Sequence, residues 1–318
     1  MKSVIAGMPG RLNKAASRAA PALAVTAGAA PREGKEPLFA DFLSRLRGKR
    51  GRGMVLPALL LLLAFFVVPV ALLLSRSVTE PELGLQNYRT LLASGTYAKI
   101  FFNTFLVAAL VTVITALLAF PVAWALAIMP RLWAGLLFAV VLLSMWTNLL
   151  ARTYAWMVLL QQTGLINRTL MQLGLISQPI PLVNNLTGVT IGMVYIMLPF
   201  MVLPIYGVIR KLDPAILQAA ALCGATCWQA LRRVLLPLAL PGIASGSLMV
   251  FVMSLGYFVT PALLGGRANM MLAEMIAHQV QSLVNWGLGG AAAFVLLVVT
   301  LARYALQLRL IGEPKGTA

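Results

Sequence analysis

Hydrophobic residues along this chain come in long unbroken runs, and polar residues collect between the runs. Met54 to Leu74 has 21 residues without a charge, about 31 Å of helix, which is enough to cross the hydrocarbon of a bilayer. Further runs from about Ile100 to Ile128, Trp133 to Leu150, Leu186 to Tyr206, Gly242 to Leu263 and Asn285 to Leu306 bring the predicted spans to six. The pattern predicts an all-α, polytopic helical membrane protein. Pro121 lies inside the second run and is predicted to kink the helix without breaking it, because neighbouring helices can satisfy the freed carbonyl. Pro199 and Pro204 predict local unwinding in the fourth run. Gly188 with Gly192, and Gly242 with Gly246, stand at the spacing that lets two helix backbones approach closely. The segment from Gln161 to Asn185 reads as irregular and partly buried.

One long amphipathic stretch, Leu212 to Pro241, interrupts the apolar runs. Asp213 before Pro214 is a strong helix start, since the carboxylate accepts from free amides and proline suits the first helical position. Ile216 to Cys223 then forms a short helix that ends at Gly224, where a left-handed residue is needed. Thr226 and Gln229 have the spacing of a capping box that opens a second helix. Arg232 and Arg233 fall in its last turn, and Pro237 closes it. Trp228, Leu231 and Leu235 mark its apolar face.

Composition narrows the class. The chain has 318 residues, 60% hydrophobic and 10% charged, with a mean hydropathy of +0.90, as in a multi-span membrane protein. The net charge of +17 would suggest nucleic acid in a water-soluble domain. Here the basic residues lie mainly between spans, so the positive-inside rule accounts for them and no nucleic-acid partner is expected. Arg210, Lys211, Arg232 and Arg233 place the amphipathic loop in the cytoplasm, and the basic ends place both termini there. Residues 1–53, rich in Ala, Gly, Pro and basic side chains, read as a disordered cytoplasmic tail whose last part lies against anionic lipid or serves only as an orientation signal. The remaining 54–318 form the membrane domain. Cys223 and Cys227 are the only cysteines; without a nearby histidine they predict neither a metal site nor a disulfide framework. No Walker-type phosphate loop and no paired acidic residues within a span are present, so no catalytic residue, cofactor site or metal site is expected.

Gln218-Ala219-Ala220, then Gly224, then Val234-Leu235-Leu236-Pro237 resembles the EAA loop in the membrane-spanning subunits of bacterial ABC importers, the MetI-like permeases. The flanking Leu212-Asp213-Pro214, with Trp146 to Trp156 and Phe258 to Gly266, is most similar to the polyamine permease group. Gln218 stands where the family has glutamate and Val234 where it has isoleucine, so at position 218 only a hydrogen bond carries over. The resemblance is best resolved over 87–306. It implies a six-span permease of the bacterial inner membrane in which the loop 212–241 is a coupling loop. Its docking residues would be Asp213, Gln218, Ala219, Ala220, Gly224, Trp228, Leu231, Leu235 and Pro237. The implied partners are two copies of an ABC ATPase that hydrolyse ATP with Mg, a second and different permease, and a periplasmic solute-binding protein.

The implied solute is a polyamine such as spermidine or putrescine. The alternatives are another solute (a phosphonate, metal complex or oxyanion), an ion-coupled secondary carrier, or a scaffold that only recruits an ATPase. Tyr154, Trp156, Phe258, Glu274 and Trp286 are the pathway candidates. For the aromatic rings an interfacial belt is the competing reading, and for Glu274 a solvated carboxylate. Arg152 and Arg168 are expected to meet backbone carbonyls, lipid phosphates or a docking partner.

Overall fold

The computed structural model describes residues 57–311, with side chains to 306. The predicted tail 1–53 and the closing residues from Gly312 lie outside the described residues. Every regular element among the described residues is helical, and they fall into two units, 57–69 and 70–311. The first unit is the opening of helix α1 (Pro57–Thr79). It makes one π turn at Leu63–Val67, and every side chain from 57 to 69 is exposed. An apolar helix exposed on all sides suits lipid as its solvent.

The second unit holds the rest of α1, then α2 (Gln86–Ala93), α3 (Gly95–Ile128), α4 (Arg131–Trp146), α5 (Leu149–Leu160), α6 (Leu165–Gln172) and α7 (Leu186–Ile209). There follow α8 (Pro214–Leu222), α9 (Cys227–Gly256), α10 (Val259–Leu264), α11 (Leu272–Gln281) and α12 (Trp286–Ile311). The core is built around α7. Met193, Met197, Met201 and Ile205 recur every fourth residue along one face and are wholly buried. They share a cluster with Val107 and Val111 of α3 and with Ala239 and Val250 of α9. The close packing predicted at Gly242 and Gly246 is present, and the helix that approaches them is α7. A Cβ on Gly242 would lie 3.0 Å from Ile205 Cα and from Pro204 O, and one on Gly246 would lie 2.7 Å from Met201 Sδ.

A smaller cluster joins Leu91, Ile100, Leu272, Met275, Leu288 and Ala291. Thr104 Oγ1, wholly buried on α3, accepts from the Leu272 amide at 2.8 Å. That bond ties the start of α11 to α3. Asn87 Nδ2 donates to Ser77 O at 2.9 Å and to Glu80 O at 2.7 Å, and Ser77 Oγ lies 2.9 Å from Tyr88 Oη. The turn after α1 is held by these bonds.

α3 runs through Pro121 without a break, as predicted. α7 likewise runs unbroken through Pro199 and Pro204, so the predicted unwinding does not occur; packing on both flanks holds the helix although two amides are missing. Among the described residues five helices are long and apolar enough to cross a membrane, and a sixth crossing requires α4 and the helices after it to count as one broken span, bent by 100°. The straight span predicted from Trp133 to Leu150 is therefore replaced by an elbow. Thr147 is extended and Asn148 caps α5, its side chain accepting from the Leu150 and Ala151 amides. The segment 161–185, predicted irregular, contains α6. The fifth span stops at Gly256 instead of Leu263, and α10 takes over after Tyr257 and Phe258.

Candidate functional site

The loop 212–241 begins as the sequence dictates. The Asp213 carboxylate accepts from the Ala215 amide at 2.9 Å, and Pro214 occupies the first helical position of α8. Gly224 adopts φ +80°, and the amides of Gly224 and Ala225 close the helix by donating to Ala221 O (2.9 Å) and Ala220 O (3.1 Å). A Cβ at Gly224 would meet nothing within 4 Å. Backbone conformation rather than space is what demands glycine there. The capping box is also formed. The Thr226 amide donates to Gln229 Oε1 at 2.9 Å, and the Gln229 amide donates to Thr226 Oγ1 at 3.3 Å.

The second helix differs from expectation. It does not close at Pro237 but continues as α9, a single 30-residue rod from Cys227 to Gly256. Leu231–Leu235 form a π turn within the rod. A wider turn offers a carbonyl one residue further back, so the missing amide of Pro237 breaks no obligatory bond. Arg232 and Arg233 consequently lie within a continuous helix rather than in its last turn.

Burial separates the predicted docking residues into two groups. α8 contains no buried residue; Asp213, Gln218, Ala219, Gly224 and Trp228 are exposed, and Ala220 is half-buried. Leu235 is only 2% exposed and belongs to this chain's own core. Leu212, Leu217 and Leu231 pack against the same core. These residues seat the loop on the membrane helices. Leu235 is thus corrected from a docking contact to an anchor, because a side chain already enclosed has no surface to offer. Pro237 is exposed on α9. Two exposed apolar residues that the sequence reasoning passed over, Ile216 and Leu222, complete the free face, and Leu222 is 90% exposed.

The pathway candidates do not form one site. Tyr154 and Trp156 lie on α5, and Phe258 opens α10. Thr153 and Thr260 link those two helices at 3.3 Å through a buried hydroxyl pair. Trp156 packs edge-on against Tyr195 of α7, with ring centroids 5.5 Å apart, and Tyr154 and Phe258 are exposed. Arg152 clasps the elbow, its Nη1 donating to Ser144 O at 2.6 Å, a backbone carbonyl being one of the three contacts expected for it.

Glu274 and Trp286 stand apart, on α11 and α12. Burial pushes the Glu274 carboxyl above its ordinary range, while the Met271 amide and nearby His278 pull it down. The ring of Trp286 is covered by the Arg76 guanidinium at 5.0 Å, itself paired with Glu80 at 3.5 Å. Among the described residues no group of three or more His, Cys, Asp or Glu is placed to hold a metal ion.

The family profile described as "Binding-protein-dependent transport system inner membrane component" matches residues 90–311. The spermidine/putrescine transport system permease protein PotB of Haemophilus influenzae is 34% identical over 246 residues, 75% of this chain and 86% of that protein. The inner membrane ABC transporter permease protein YdcU of Escherichia coli is 37% identical over 254 residues, 74% of this chain and 78% of that protein. A chain of the bacterial alginate ABC transporter, solved in complex with an alginate pentasaccharide-bound periplasmic protein, superposes with a TM-score of 0.68. It is 18% identical, covering 86% of this chain and 97% of that one. The helical architecture agrees with these similarities, and the chain belongs to the family of inner-membrane permease components of binding-protein-dependent transport systems.

Proposed function

We propose that this chain is the permease subunit of an ATP-driven importer for spermidine, putrescine or a closely related small amine, and that α8 with the start of α9 is where the ATPase grips it. The observation that carries the reading is the division of labour in the loop. Leu212, Leu217, Leu231 and Leu235 are tied to the membrane core, whereas Ile216, Leu222 and Trp228 are left exposed. Covering a leucine side chain fully is worth about 1.5–3 kcal/mol, so two or three such residues supply an anchor for a helix lying in a groove. Gln218 contributes a hydrogen bond rather than an ion pair.

The relatives named for spermidine and putrescine transport support the amine. The basic residues Arg210, Lys211, Arg232 and Arg233 support a cytoplasmic loop, with both termini on the same side. Because α9 continues from the loop into the membrane without a stop, displacement of the loop by closing ATPases passes to α9 and, through Gly242 and Gly246, to α7. That movement would switch access between the two sides. In this reading ATP and Mg act on the partner ATPases, two copies of which serve this permease and a second one. A solute-binding protein delivers the amine, and the chain itself catalyses no reaction.

Cys223 and Cys227 are both exposed, so a membrane-impermeant maleimide should label them in inside-out vesicles and not in intact spheroplasts. Added ATPase should protect them. Labelling from the periplasmic side, or labelling that the ATPase leaves unchanged, would refute the docking role.

A further inference from the structure

A groove of about 620 Å³ runs between α3 and the first half of α9. Its walls are apolar: Val113, Leu117 and Phe120 on one side, Trp228 and Leu240 on the other. Leu117, Val113 and Leu240 are well exposed, as is Trp228 at the loop end. Arg232 is the one charged residue of the lining. It stands at that same end and, like its neighbour Arg233, is exposed. Among the described residues no carboxylate pairs with either.

We infer that this groove holds an anionic phospholipid of the cytoplasmic leaflet, one acyl chain lying between α3 and α9 and the phosphate at Arg232. The length fits. From Arg232 to Ser247, the deepest lining residue of α9, is 15 residues, about 22 Å of helix at the usual rise. One leaflet of hydrocarbon measures about 15 Å, and the remainder reaches the headgroup zone. The charge fits as well. A protein helix filling the groove would cover Arg232 and bring no necessary counter-charge, whereas a phospholipid supplies chain and phosphate together, and basic pockets between spans on the cytoplasmic side are suited to such headgroups. Tryptophan beside arginine at one end is the usual marker of the membrane interface. The π turn Leu231–Leu235 carries both Leu231 and Arg232 of the lining. A lipid bound there would therefore bear on the segment that joins the loop to α9. Assignment to the cytoplasmic leaflet rests on the loop orientation proposed above; the groove and its charge do not.

Trp228 serves as the reporter. The full chain, and separately its complex with the partner permease but without the ATPases, whose docking would itself cover Trp228, is placed in phosphatidylcholine nanodiscs. The discs contain increasing phosphatidylglycerol or phosphatidylcholine brominated on the upper part of the acyl chains. Fluorescence quenching is taken as the difference between the wild type and Trp228→Phe. At equal mole fraction, brominated phosphatidylglycerol should bind about fivefold more effectively than brominated phosphatidylcholine, the preference one basic side chain supplies near an anionic headgroup. Arg232→Gln should bring the two lipids to parity, Arg232→Lys should retain the preference, and Ala116→Phe, which fills the groove, should weaken quenching by both.

Equal quenching by the two lipids in the wild type would mean ordinary solvating lipid and overturn the inference. So would loss of quenching on assembly, which would make the groove a seat for the partner permease. No step uses ATP or transport, and nanodiscs expose both faces. A negative result therefore leaves the docking reading to its own maleimide test.

Discussion

Replacing Gly224 isolates the turn between α8 and α9 from every other property of the chain. At φ +80° a side chain pays for a left-handed backbone, roughly 1–2 kcal/mol for an L-residue. No packing penalty is added, because a Cβ would meet nothing within 4 Å. The turn lies outside the buried clusters, so Gly224→Ala should leave insertion and thermal stability of the membrane core unchanged. Its cost should fall on the population of the native turn, and hence on the affinity for the ATPase, which drops by a factor of about 5–30 if docking requires that turn. Asparagine tolerates the left-handed region better than alanine, so Gly224→Asn should lose less, whereas Gly224→Asp, which also places a carboxylate in the contact, should abolish association. The assay is ATPase binding to the purified variants in detergent or nanodiscs, with membrane content measured in parallel. Equal binding by wild type, Ala and Asp variants would refute the reasoning; so would failure of the Ala variant to insert, which would mean the turn is structural.

Other predictions follow from contacts at single atoms. Gly242→Ala should destabilise the chain by about 1–3 kcal/mol, because its Cβ meets backbone atoms at 3.0 Å. Gly246→Ala should cost less, since the obstructing atom is the flexible Met201 sulfur; equal shifts in melting temperature would contradict the packing of α7 on α9. Thr104→Val, which leaves the Leu272 amide without its acceptor, should cost about 1–3 kcal/mol, seen as faster amide exchange at the start of α11. For Glu274, whose carboxyl sits above its ordinary value of 4.5 through burial, the native state favours the protonated acid. Its contribution to stability is present below the ordinary titration range and is lost as pH rises through the raised one. Glu274→Gln should remove that decline, and identical pH dependence of melting in the variant and the wild type would count against it.

Much of the loop was legible because its signals are local. Asp213-Pro214, Gly224 and the Thr226/Gln229 pair each act on backbone groups within three residues, and all three cap as expected. Residues whose role depends on distant packing were not legible. Leu235 looks like its exposed neighbours in one dimension but is enclosed by helices remote in sequence. Pro237 reads as a stop until a π turn precedes it. The elbow at Thr147-Asn148 was hidden because the apolar run continues across it, and only the capping tendency of Asn148 hinted at a new helix start. Pathway residues were the least legible of all. Aromatic rings suit a membrane interface and a solute route equally well, and only contacts such as Trp156 with Tyr195 distinguish their surroundings.

The central claim is that the loop transmits the work of ATP hydrolysis to solute movement. Proteoliposomes holding this chain, its partner permease and the ATPases, with the solute-binding protein and labelled spermidine or putrescine on the opposite side, measure this directly. Uptake should require ATP on the loop side and cease with Gly224→Asp. Uptake at full rate without the ATPase, or driven by an ion gradient alone, would contradict it.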